Sequence, residues 1–92
     1  FAPDVDLLVH ALKSDLSSAE SVDVEVLHPD GAIIVSMAHV PFDREKGEIL
    51  IACQRHYESL HPPGVDPTFR VYVTEGGARK RVGDYLVHHI WR

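Results

Sequence analysis

Hydrophobic positions follow a helical spacing at the start of the chain and alternate through most of the remaining residues. Val5, Leu8, Val9, Leu12 and Leu16 fall on one stripe of an α-helix, which predicts an amphipathic helix over Asp4 to Ala19. Pro3 suits the first helical position, and Asp4 and Asp6 complement the positive end of the helix dipole. Ser21 to His28 instead alternates, with Val22, Val24 and Val26 on one face and Asp23 and Glu25 on the other, the pattern of a strand with one wet side. Pro29-Asp30-Gly31 then supplies a preset φ, a turn-stabilising carboxylate and a residue tolerant of positive φ, so this strand should fold back on Ala32 to Val40 as a hairpin. That second strand is largely apolar on both faces, Ile33, Val35 and Met37 on one and Ile34, Ala38 and Val40 on the other. Such a pattern belongs to a strand covered on each side or central in its sheet.

Residues 42–61 support two readings. As a helix, Ile49, Leu50, Cys53, Tyr57 and Leu60 gather on one side, Asp43 serves as N-cap and Pro62-Pro63-Gly64 stops the element. As a hairpin, Asp43 to Gly47 forms the turn and Glu48 to Cys53 a short buried strand, which accounts for Ile51 and for Gly47, a residue costing a helix ~1 kcal/mol relative to alanine. The helix is the preferred reading, and residues 54–61 are helical in either case. Residues 62–68 form a loop rich in proline. Phe69 to Trp91 reads as a meander of three antiparallel strands punctuated by Glu75-Gly76-Gly77 and Gly83-Asp84. The expected fold is a single α+β domain over 1–92, an antiparallel sheet with two helices on one face in the order α-β-β-α-β-β-β. The alternative is one N-terminal helix plus a six-stranded meander.

Composition narrows this picture. A chain of 92 residues, 45% hydrophobic and 25% charged, has the make-up of an ordinary globular domain. The single cysteine, Cys53, cannot form an internal disulfide. The longest apolar run, Ile49 to Cys53, is far short of the ~20 residues that a spanning helix needs, and no charged-then-apolar leader opens the chain. A soluble, cytoplasmic protein that makes no membrane contact is expected. The chain opens at Phe1 and stops in mid-pattern at Trp91-Arg92, as a domain cut from a longer protein would. Its net charge of −5 is uneven, with four basic and twelve acidic residues in 1–68 against five basic and two acidic ones in 69–92. The meander is thus the basic end of an acidic chain, which argues against non-specific nucleic-acid binding by the whole molecule.

Seven histidines raise the question of metal binding. His56 and His61 are five apart, out of line on a helix, and His88 and His89 are adjacent and point to opposite faces of a strand. His10 falls opposite the apolar stripe of the first helix, and His39 ends one face of its strand as a rim residue. Only a site assembled from distant parts, such as Cys53 with His56 and a meander histidine, would suit zinc. No metal or cofactor is expected. Cys53 sits in apolar surroundings as a small hydrophobe, and no nucleophile-elbow glycines flank Ser36 or Ser59.

Gly76-Gly77-Ala78-Arg79-Lys80-Arg81 is the one compact basic cluster in the sequence. A double-glycine turn followed by three cations can hold phosphate, although on a strand Arg79 and Arg81 share a face that Lys80 does not. Arg79-Lys80-Arg81-Val82-Gly83-Asp84-Tyr85 resembles the Arg-Val-Gly-Asp-Tyr strand turn of RelE/ParE-type toxins, some of which are ribosome-dependent endoribonucleases. The resemblance implies a phosphate-contacting role for Arg81, but Leu86 stands where that pattern usually has another Arg. The order of a helix, a hairpin closed by Asp30-Gly31, a second helix and a meander is similar to roadblock and profilin-like dimerisation domains, without their closing helix. Neither resemblance is taken as a family assignment. The preferred reading is a non-catalytic module that binds a protein partner, including a copy of itself as a homodimer. The alternative is a small RNA- or phosphate-acting, endoribonuclease-like protein using Arg79, Lys80 and Arg81, with His56 or His88 as acid or base.

Overall fold

A computed structural model describes residues 5–11, 13–52, 60 and 62–91. Among the described residues are eight strands and one short helix, β1 (Val5–His10), α1 (Lys13–Leu16), β2 (Ser21–Leu27), β3 (Ile33–Met37), β4 (Phe42–Asp43), β5 (Glu48–Ile51), β6 (Thr68–Glu75), β7 (Ala78–Tyr85) and β8 (Val87–Trp91), and Leu60 is helical besides. The strands form two antiparallel four-stranded sheets, ordered β4-β5-β1-β8 and β3-β2-β6-β7. Leu7, Val9, Ile49 and Ile51 from the first sheet share one buried cluster with Val22, Val24, Phe69, Val71 and Val73 from the second. The two sheets therefore pack face to face. This two-layer β architecture replaces the expected α+β fold with two helices, its single-helix alternative, and the helix-led order that is similar to roadblock domains.

The first expected helix is a strand. Val5 to His10 lies between β5 and β8, so its backbone is paired along both sides, and Leu7 and Val9 turn into the core with no exposed surface. The stripe through Leu8 and Val9 fits a helix, but pairing on two sides outweighs the small helical preference of these residues. Among the described residues of the expected span, only the four of α1 are helical.

The second expected helix fails at Gly47. This residue has φ +67, and a Cβ placed there would come within 2.6 Å of the Ala11 carbonyl oxygen, so only glycine fits. Asp43 Oδ1 accepts the Glu45 and Lys46 N–H groups at 3.0 and 3.2 Å, which closes a turn where the helical reading has an N-cap. The hairpin reading holds as far as Ile51, with β4 and β5 paired across that turn. Of the span 54–61, expected to be helical, only Leu60 is among the described residues, and it is helical and buried in the core.

The β2–β3 hairpin forms as its pattern predicts, closed through Asp30, whose Oδ1 accepts the Ala32 N–H at 2.8 Å. Its second strand departs from expectation, because β3 is an edge strand rather than a covered or central one. In 69–91 the glycine pair makes the expected tight turn, with φ +57 at Gly76 and +82 at Gly77, the mirror-image turn that suits a two-residue hairpin. No second turn forms at Gly83-Asp84. Strand β7 stays paired with β6 through Gly83, Asp84 and Tyr85, and a bulge near Val82 shifts its register. The chain leaves the sheet only at Leu86, and β8 pairs with β1 in the other layer. The three expected strands are present but do not form one meander.

Candidate functional site

The outward face of the β3-β2-β6-β7 sheet carries the basic cluster. Because Val71 and Val73 point into the core, their neighbours Arg70, Tyr72 and Thr74 point away from it, and the register sets Asp84, Arg81 and Arg79 beside them. Arg79 and Arg81 thus share a face and Lys80 takes the other, as the strand period requires. Both guanidinium groups meet carboxylates. Arg70 donates to Asp84 through Nε and Nη2 at 2.9 and 3.3 Å, and Arg81 Nη2 adds a bond to Asp84 at 2.9 Å. Arg79 Nε lies 3.4 Å from Asp23 Oδ2 on β2, with its guanidinium carbon 4.0 Å from the centre of the Tyr72 ring. The hydrogen bonds and charge of Arg70, supported by Arg81, hold the Asp84 carboxyl below its ordinary range. The same bond raises the Arg70 guanidinium above its ordinary value. The cluster is therefore a cross-strand ladder in which three arginines share two carboxylates, partly neutralised and still net positive.

The histidines named from sequence do not join it. His56, like Cys53 and His61, lies outside the described residues. His88 pairs with Leu8 on the outward face of the other sheet, where its ring meets that of His10 edge-on with centroids 4.8 Å apart. His10 Nδ1 is 3.8 Å from Glu48 Oε2 on β5. The His10–His88 contact joins opposite ends of the chain, and no local spacing in the sequence could reveal it. His88 and His89 do take opposite faces of β8, as expected. Among the described residues no group of three or more histidine, cysteine or acidic side chains is placed to hold a metal ion.

His39 follows β3 in the left-handed region, with φ +54, and its N–H donates to Asp23 Oδ1 at 3.1 Å. One carboxylate thus ties the end of β3 to Arg79 across the sheet. His39, Glu20 and Phe42 line an open cleft of about 360 Å³. The Glu20 carboxylate there accepts the Gly76 N–H at 2.6 Å, so it is already engaged in holding the β6–β7 turn. No buried side-chain donor or acceptor among the described residues lacks a partner.

The edges of the sheets differ sharply. Strand β7 carries Arg79, Lys80 and Arg81, all exposed, and β4 is two residues long. Strand β8 presents His88 and His89. Strand β3, in contrast, lies in a stretch with no Asp, Glu, Lys or Arg between Asp30 and Asp43. It is bonded to β2 alone among the described strands, its Ile33 is 58% exposed, and Ile34, Val35 and Met37 are only half-buried. Short length and edge cations blunt strand addition, and β3 has no such cations. Its apolar character was legible in the sequence, but its place at the rim was not. Among the described residues no helix is long and apolar enough to cross a membrane. Comparison with protein-family models, curated proteins and solved structures gives no match.

Proposed function

We propose that this chain is a non-catalytic protein-interaction module whose contact element is the β3 edge. One observation carries the reading. Strand β3 has an apolar pattern on both faces, yet among the described strands only β2 pairs with it, which leaves its other edge at the rim of the sheet. An added strand would satisfy its outward N–H and C=O groups and bury Ile33, the mode of recognition called β-augmentation. The phosphate-acting alternative gains less from the geometry, because Arg79 and Arg81 are paired with Asp23 and Asp84 and His88 faces outward from the other sheet. The test is titration of the full chain with a fluorescein-labelled peptide spanning residues 31–40, followed by anisotropy. Saturable binding that is lost in Ser36→Lys, a change at an exposed β3 side chain, is the expected result. If the peptide fails to bind, or binds Ser36→Lys equally well, the β3 reading is abandoned.

A further inference from the structure

We infer that the strand taken up by β3 is the β3 of a second copy of this chain, antiparallel to the first about a two-fold axis. This rests on the proposed role of β3 as the contact element and names its partner. The occupant must match the chemistry of the edge. Strand β3 offers no counter-charge, so a charged strand laid along it would lose hydration without compensation. Among the described edges of the chain, β7 fails this requirement through Arg79, Lys80 and Arg81, β4 is too short, and β8 brings two imidazoles. A second β3 meets it, and the pairing sets β-branched and apolar side chains against one another.

The net charge of −5 does not oppose this association. Glu25, the acidic residue paired directly with β3, sits on β2, one strand in from the edge. In the joined sheet the two β2 strands lie three strand spacings apart, ~14 Å, beyond the ~8 Å screening length at physiological ionic strength. Two-fold pairing also consumes both β3 edges, so the assembly closes at two, and the cations of β7 oppose further growth. Five residues of strand span only ~17 Å. Such a contact buries less than the ~1,200 Å² of a stable complex, so the dimer is weak and concentration-dependent.

The experiment is light scattering of the full chain from ~1 μM to ~1 mM, the concentrations that bracket a weak complex, with amide exchange measured at both ends. The expected result is a twofold rise in mass, slower exchange at residues 33–37 in the concentrated sample, and a monomer throughout for Ser36→Lys. Exchange in the unaltered chain keeps the test decisive if that variant does not fold. A monomer at every concentration that still binds the 31–40 peptide overturns the self-pairing inference and leaves the β3 edge reading standing. A monomer that binds no peptide overturns both. A dimer that persists in folded Ser36→Lys, or whose formation leaves exchange at 33–37 unchanged, also overturns the inference, because the contact then lies elsewhere.

Discussion

Leu7 and Leu8 are adjacent and chemically identical, but the fold treats them unequally. A helix over Asp4 to Ala19 would bury Leu8 and leave Leu7 outside the apolar stripe. The strand does the reverse, with Leu7 fully enclosed between the sheets and Leu8 half-buried on the outward face beside Leu50 and His88. Leu7→Ala is therefore expected to cost ~2–5 kcal/mol, the range for emptying a closed core site, and Leu8→Ala less than ~2 kcal/mol. Urea unfolding of the two variants checks this. A larger loss for Leu8→Ala would count against β1. Gly47 makes a similar choice by a different means, since its positive φ and the nearby Ala11 carbonyl admit no side chain and commit Asp43 to Gly47 to a turn.

At the level of elements, what could be read from the sequence was local. The β2–β3 and β6–β7 hairpins were legible because Asp30-Gly31 and Gly76-Gly77 fix their turns within a few residues. The separation of β7 from β8 was not, because nothing between Tyr85 and Val87 says that the next partner is β1 rather than β7. The candidate contact strand was half legible for the same reason: composition shows that β3 is apolar, and only the pairing of β2 with β6 shows that β3 is left at the edge. The β6–β7 hairpin also carries a titratable device. Asp84 is held below its ordinary range chiefly by its bonds to Arg70, so its folded value lies below its unfolded one. A carboxyl of this kind contributes stability that is fully present above the unfolded value, ~3.9, and is lost as pH falls through the folded value. In urea titrations, the stability gap between the unaltered chain and Asp84→Asn should stay constant from pH 7 to pH 5 and close as pH falls below ~4. A gap that is unchanged at pH 2.5 would show that the carboxylate charge is not what Arg70 and Arg81 recognise.

At the scale of the molecule, the six strand pairings among the described residues divide into two kinds. Three are hairpins between neighbours in sequence, β2 with β3, β4 with β5 and β6 with β7. The other three, β1 with β5, β1 with β8 and β2 with β6, join distant segments and fix which sheet each hairpin enters. The same long-range pairing brings Asp23 of the acidic part beside Arg79 of the basic part, so the charge asymmetry along the chain is partly cancelled in space. Distant pairings must close large loops before their contacts repay the lost chain entropy, and β1 against β8 closes nearly the whole chain. Refolding after stopped-flow dilution from urea is therefore expected on the ~ms to s timescale of proteins rich in non-local strand pairs. The helix-rich arrangement expected from the sequence would rely more on local contacts and should fold faster. Relaxation complete within ~100 μs, as in small helical bundles, would be incompatible with β1 and β8 pairing as the step that joins the two ends of the chain.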